Sequence, residues 1–121
     1  MNPKTQPAIL LVGNDASLSY LLGRFAEQSG YQLTVNTGSL AIGEIAAVKP
    51  AVIIFLSTEL LAKDRALITG IASLDTPIMV CSSVAEEAWA RELGADYCLL
   101  HPLIYNDFQT ALAHATASKR V

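Results

Sequence analysis

A strand-like run followed by a segment of helical periodicity, repeated five times, is the feature that most limits what this chain can become. The runs fall at residues 9–12, 32–35, 52–56, 77–81 and 97–100. Residues 52–56 are apolar without interruption, as a strand buried on both faces requires. Gln32, Leu33, Thr34 and Val35 alternate instead, as a sheet-edge strand does. Between the first two runs, Leu18, Leu21, Leu22 and Phe25 stand at i, i+3, i+4 and i+7, one face of a helix over 16–29. Asp15 suits its N-cap, and Gly30 the position just past its end. A second helix is expected after Ser39 as cap, with Ile42, Ile45, Ala46 and Val48 inward and Pro50 as its stop. A third spans 60–73, weakly capped and interrupted by Gly70. The fourth covers 84–93 and ends at Gly94, and the last covers 104–118.

Sequential βα units joined by right-handed crossovers make a doubly wound parallel sheet with helices on both faces. The expected fold is α/β, a three-layer (βα)5 flavodoxin-like arrangement with strand order 2-1-3-4-5. That order puts the alternating second strand at an edge and the apolar third strand in the middle. At 121 residues the chain is expected to be a single domain over 1–121, with its core over about 8–118. In such sheets, sites form at the carboxyl ends of the strands, near the switch between strands one and three. The rule points to Gly13-Asn14-Asp15, Leu56-Ser57, Ser82-Ser83 and His101-Pro102.

Composition narrows the function classes. Hydrophobic residues make up 52% of the chain and charged residues 16%, which supports a sizeable core and argues against disorder. The net charge is −3, and the only basic cluster is Lys119-Arg120, so nucleic acid is not an expected partner. No apolar run approaches the ~18 residues that span a bilayer, and residues 1–7 lack the apolar stretch of a signal peptide. A cytoplasmic protein without membrane contact is expected. Cys81 and Cys98 lie far apart inside apolar runs, with no CxxC, and there are two histidines. Buried free thiols are expected, and neither metal nor cofactor.

The segments ILLVGNDASLSYLL, GYQLTV, KPAVIIF, TPIMVCSS and LGADYCLLHPL, in that order, resemble the receiver domain of bacterial response regulators, the CheY-like superfamily. The ordered set Gly30-Tyr31, Lys49-Pro50, Thr76-Pro77, Leu93-Gly94-Ala95-Asp96 and Pro102 carries the resemblance, over about 110 residues. A receiver, by that resemblance, is a phosphotransfer device. A carboxylate ending strand three takes the phosphoryl group of a histidine kinase, and two acidic residues after strand one hold Mg²⁺. A Ser or Thr ending strand four and a Lys ending strand five contact the phosphoryl oxygens.

This chain departs from that pattern at nearly every position. The acceptor position falls on Leu56, whose side chain has no oxygen. The acidic pair falls on Gly13 and Asn14, which together offer one neutral carbonyl oxygen. Asp15 matches a third, variable position and suits the capping role better. Ser82 keeps the hydroxyl, while the lysine position falls on His101, still followed by Pro102. Ser57 cannot stand in for the acceptor, because a one-residue slip would invert the faces of strand three. Glu59 lies in the loop beyond. The aromatic switch position of strand five falls on Cys98. Acceptor, metal ligands and lysine are replaced together while the apolar strand positions stay, the pattern of a degenerate pseudo-receiver.

The expected function is a receiver-like domain of a two-component or phosphorelay system that acts through phosphorylation-independent protein–protein interaction, not an enzyme. The resemblance puts the interaction on the face of the fourth helix, the fifth strand and the last helix. Trp89, Arg91, Tyr97, Leu103 and Tyr105 lie there, with Tyr105 as the exposed anchor. A protein partner or a second copy is expected on that face, and an output domain could follow the small, basic stretch 117–120. A different class of function is a small ligand or anion held in the emptied pocket by Asn14, Ser82, Ser83 and His101. An enzyme using Ser82, Ser83 or Cys81 with His101 has the least support, for want of a nucleophile elbow and of a carboxylate to orient the imidazole.

Overall fold

The computed structural model describes residues 6–118. Its strands β1 (Ala8–Val12), β2 (Gln32–Asn36), β3 (Val52–Phe55), β4 (Ile78–Ser82) and β5 (Tyr97–Leu100) form a five-stranded sheet in the order β2-β1-β3-β4-β5. Every neighbouring pair is parallel. This is the order read from the sequence. Central β3 is buried along its whole length, and edge strand β2 exposes Thr34 and Val35.

Helices α1 (Ala16–Gln28) and α6 (Tyr105–Ser118) cover one face of the sheet. The other carries α2 (Ile42–Val48), α3 (Thr58–Lys63), α4 (Arg65–Ser73) and α5 (Glu87–Glu92), the last preceded by a 3₁₀ turn at Val84–Glu86. Because strand side chains alternate, the core divides in two. Ile9, Leu11, Val52, Ile54, Met79 and Cys81 face α1 and α6, while Leu10, Val12, Ile53, Phe55, Ile78 and Val80 face the other layer. The first helix follows its sequence pattern: Asp15 Oδ1 accepts the Leu18 N–H at 3.0 Å, and Leu22 and Phe25 are buried.

Two helical segments differ from expectation. Ser39 does not cap α2; Ala41 stands at the N-cap, and Glu44 reaches back to accept its backbone N–H at 2.9 Å. Of Ile42, Ile45, Ala46 and Val48, only Ile45 is buried, since this seven-residue helix rests on the domain by one edge. The expected helix over 60–73 is two helices that begin earlier and break elsewhere. Ser57 caps α3 by accepting the Leu60 N–H at 3.3 Å, and Asp64 ends α3 and caps α4, accepting the Leu67 N–H at 3.0 Å. Asp64 itself leaves helical space (φ −140°, ψ 81°), so the interruption sits there and not at Gly70. Gly70 instead permits a close approach: a Cβ at this position would lie 3.0 Å from Ile42 Cδ1.

Strand ends move by a residue. β4 extends to Ser82, and Leu56 follows β3 in a bend, its N–H still bonded to the Val12 carbonyl at 3.0 Å. No helix among the described residues is long and apolar enough to cross a membrane. Lys119 and Arg120 lie outside the described residues.

Candidate functional site

The carboxyl ends of β1 and β3 meet in a contact between a glycine and a leucine. Leu56 is 6% exposed, and its side chain joins the core on the α1/α6 face. Gly13 directly follows β1 with φ +140°, its N–H bonded to the Asn36 carbonyl at 3.0 Å. A Cβ built on Gly13 would lie 2.8 Å from both Cβ and Cδ1 of Leu56. Leu56 therefore fills the volume that a side chain at residue 13 would need, and the backbone conformation there favours glycine independently. The two residues fit as a pair.

That pair decides what the strand ends can do chemically. A divalent cation of the Mg²⁺ type wants several anionic oxygens. Gly13 has no side chain, Leu56 is hydrocarbon, and the exposed Asn14 offers one neutral oxygen. These residues do not fit such an ion. Among the described residues, no group of three or more His, Cys, Asp or Glu side chains is placed to hold any metal.

The remaining expected site residues do not converge on Leu56. Phe55 pairs with Val80, so Leu56 stands level with Cys81 and shares its core cluster, whereas Ser82 continues the alternation of Ile78 and Val80 toward the other layer. Ser82 is 3% exposed, and its Oγ makes no hydrogen bond. Its neighbour is the Cys98 thiol, whose pKa is raised, first by burial and also by the Glu87 charge, against the lowering action of the Ser82 hydroxyl and the Arg91 charge. On the opposite face, the Cys81 thiol is pushed up to about 12, first by burial and then by the Asp15 carboxylate. Such a thiol stays protonated near neutrality and is a poor nucleophile. His101 donates its backbone N–H to the Ser82 carbonyl at 3.3 Å, precedes a cis bond to Pro102, and keeps its exposed imidazole free of hydrogen bonds among the described residues.

The expected pocket of Asn14, Ser82, Ser83 and His101 does not form as one cavity. An open groove of about 510 Å³ lies at the strand ends, but of those four residues only Asn14 lines it. Thr37, Ser39, Phe55, Leu60, Lys63 and Asp64 are among the other residues that line it. With Leu56 packed down on Gly13, this groove lies on the side of α2 to α4.

Solved structures resemble this one over nearly its whole length. The signal receiver domain of a LuxO repressor protein from Vibrio parahaemolyticus matches with a TM-score of 0.73 at 24% identity, over 96% of this chain and 94% of that one. A response regulator from Thermotoga maritima matches with a TM-score of 0.76 at 14% identity, over 93% and 99%. A pilus assembly-related protein from Burkholderia pseudomallei gives 0.67 at 22%, over 97% and 96%. The chain has the receiver fold. No family model matches the sequence, and no curated protein matches it.

On this receiver fold the expected interaction residues divide. Trp89 and Arg91 are exposed on α5, and Arg91 is held in place by its Nη1 bond to the Asp96 carbonyl at 3.0 Å and its ion pair with Glu87 at 3.4 Å. Tyr105 is not an exposed anchor. It opens α6 against α1, half-buried, with its ring 5.5 Å from that of Phe25 and its hydroxyl 3.4 Å from Ser29 Oγ. Tyr97 and Leu103 are likewise half-buried against the α1/α6 core. Sequence reasoning missed Val84, at the head of the 3₁₀ turn, and Ile104, just before α6, which are both more exposed than Trp89. The available signal was an apolar residue at the very start of a helical segment, where no preceding turn covers it.

Proposed function

We propose that this receiver-fold domain serves a signalling system of the two-component type and acts without phosphoryl transfer, by docking a partner protein. The observation that carries the reading is the buried side chain of Leu56 packed on Gly13. A strand end filled with hydrocarbon has neither an acceptor nor a way to neutralise a phosphoryl group. Without that input, regulation falls to the partner, which shifts conformations only by binding one better than another. We assign the docking face to the exposed side chains Val84, Trp89, Ile104 and Arg91. Two sets of contacts restrain the segments that carry Val84 and Arg91. Buried Thr58 donates to Glu86 Oε1 at 3.3 Å, tying the head of α3 to the 3₁₀ turn, and Arg91 is fixed by Asp96 and Glu87. Trp and Arg dominate binding hot spots, and a side chain fixed beforehand loses less freedom on association.

Melting in the presence of Mg²⁺ and beryllofluoride, a phosphoryl mimic, tests the first half. A ligand at a hundred times its dissociation constant stabilises the native state by about 2.7 kcal/mol. No change in Tm is expected, and a clear rise would overturn the reading. For the second half, a partner selected against the wild-type domain should lose binding to both Trp89→Ala and Val84→Ser. Undiminished binding to both would put the docking face elsewhere.

A second reading is favoured by the groove beside Asn14. Its volume falls in the range of small-molecule sites, and Lys63 offers a cation near the polar groups of Asn14, Thr37 and Ser39, with the Asp64 carboxylate in the same lining engaged as the cap of α4. A small phosphorylated compound is the matching ligand class. Stabilisation by a nucleoside monophosphate in the wild type but not in Lys63→Ala would favour this reading, and no stabilisation in either would remove it.

A further inference from the structure

The sheet has two edges, and the chain guards only one of them. Strand β5 is four residues long; Arg91 reaches across to bond the Asp96 carbonyl just before it, and Pro102 follows it closely. Short length, a cation and a proline are common means of keeping an edge from pairing with another chain. Strand β2 has none of them. It reads Gln-Leu-Thr-Val-Asn and is as long as any strand of the sheet. Residues 28–43 around it form the longest stretch of the chain without a charged side chain. Gln32, Thr34 and Val35 are exposed.

Backbone direction shows what kind of segment fits there. The Gln32 N–H goes to the Pro7 carbonyl at 2.9 Å, and the Asn36 carbonyl takes the Gly13 N–H at 3.0 Å. Even-numbered residues of β2 therefore turn their backbone groups toward β1. The N–H and C=O of Leu33 and Val35 point away from the sheet, where no further strand lies among the described residues. Such a row accepts an extended segment. The side chains identify which one, because about Thr34 the strand is a chemical palindrome: amides at Gln32 and Asn36, aliphatic residues at Leu33 and Val35.

We propose that β2 is a self-association edge whose occupant is β2 of a second copy, run antiparallel about a twofold axis at Thr34, so that two sheets join into one. Gln32 then lies opposite Asn36, Leu33 opposite Val35, and Thr34 opposite Thr34. Hydrogen bonding agrees with this register. Leu33 of each chain and Val35 of its mate, both turned outward, exchange N–H···O bonds. The Thr34 pair falls at the position without such bonds, where facing side chains come closest. An axis at Val35 would set Leu33 against Thr37, and one at Leu33 would set Gln32 against Thr34, losing the match. A twofold contact uses one patch against itself, so the patch must contain its own complement. This one does, and it has no charge to repel its copy. Since β2 and β5 stand at opposite ends of the sheet, the dimer leaves the β5 end of both copies uncovered.

Light scattering and amide exchange across a concentration series are the test. The contact is small, so the mass should climb from 12.9 kDa toward twice that value only as concentration approaches about 1 mM. Over the same range the Leu33 and Val35 amides should exchange more slowly, while the Thr34 amide, already bonded to β1, should not change. Thr34→Lys and Thr34→Glu each place like charges directly opposite one another, and each should weaken association by about tenfold or more. Mixed one to one, the two variants bring opposite charges together across the axis and should associate at least as well as wild type. Val35→Pro removes an N–H that β1 does not use and should abolish association. Thermal melts establish that each variant is folded. A wild-type chain that stays at 12.9 kDa throughout would overturn the proposal. So would Leu33 and Val35 exchange that ignores concentration, folded single variants that associate undiminished, or a folded mixture that fails to recover.

Discussion

The two helical layers of this domain are built differently. On one face of the sheet, α1 and α6 run for 13 and 14 residues and bury Leu22, Phe25, Phe108 and Leu112. The Phe25 ring lies there with its centroid 5.5 Å from those of both Tyr105 and Phe108. On the other face, the helices are six to nine residues long, and Ile42, Val48, Leu74, Val84 and Trp89 stand exposed. Helices that short are not stable by themselves. They are held by caps at Ser57 and Asp64, by the Glu44 back-bond and by a few buried residues, which leaves apolar side chains to face outward. The first layer anchors the sheet, and the second carries the groove beside Asn14 and part of the docking face. The main exception on the anchoring layer is Tyr20, whose exposed ring lies under the Arg24 guanidinium at 5.9 Å.

Substitution should separate the layers. Phe108→Ala, in the anchoring layer, is expected to cost about 3–5 kcal/mol in a urea unfolding series, the usual cost of emptying a buried phenylalanine. A loss below 1 kcal/mol would mean that α6 does not hold the fold as described.

Alkaline unfolding probes the same layer through Cys81. Its thiol stays protonated in the folded state up to about 12 but ionises near 9 when unfolded, so the folded chain binds the extra proton between those values. Stability from this group is intact below pH 9 and falls as pH rises to 12, at up to about 1.4 kcal/mol per pH unit. Cys81→Val should flatten that fall relative to wild type, and an unchanged slope would contradict the burial argument.

At the seam between the layers, Gly13→Ala should destabilise by roughly 1–3 kcal/mol, from the backbone conformation and from the Leu56 contact together. Combining it with Leu56→Ala should relieve the Cγ and Cδ1 part of the steric clash while the Cβ contact stays, so the double variant loses less than the two single losses added. Strict additivity would show that the two side-chain volumes are not in conflict. The smallest effect is expected at Trp89→Ala in the outer layer, where stability should move by about 0.5 kcal/mol or less. A loss of several kcal/mol there would erase the contrast between the layers.

The sheet was legible in the sequence because alternation in β2 and the unbroken apolar run of β3 each have one physical meaning. Helix positions were less so, for specific reasons. Asp64 sits between Lys63 and Arg65 and reads as part of a solvated charged turn, yet its carboxylate is what separates α3 from α4. The apolar spacing of α2 marks a face without saying whether anything lies against it. Tyr105 looked outward because the residues before it say nothing about Phe25, which arrives from a helix some 80 residues earlier in the chain. Leu56 and Gly13 were both visible as departures from the receiver pattern, but their contact depends on where β1 and β3 end side by side. Cys81 and Ser82 are sequence neighbours, and only strand alternation, once the register is known, sends them to opposite faces.

Intact-mass measurement after incubation with acetyl phosphate and Mg²⁺ tests the account most directly. With hydrocarbon at Leu56 and no anionic ligand at Gly13 or Asn14, the chain should remain at its unmodified mass of 12.9 kDa while an active receiver in the same tube is labelled. A stoichiometric phosphoryl adduct on this chain, wherever it mapped, would contradict the claim that the fold has been kept without its phosphoryl chemistry.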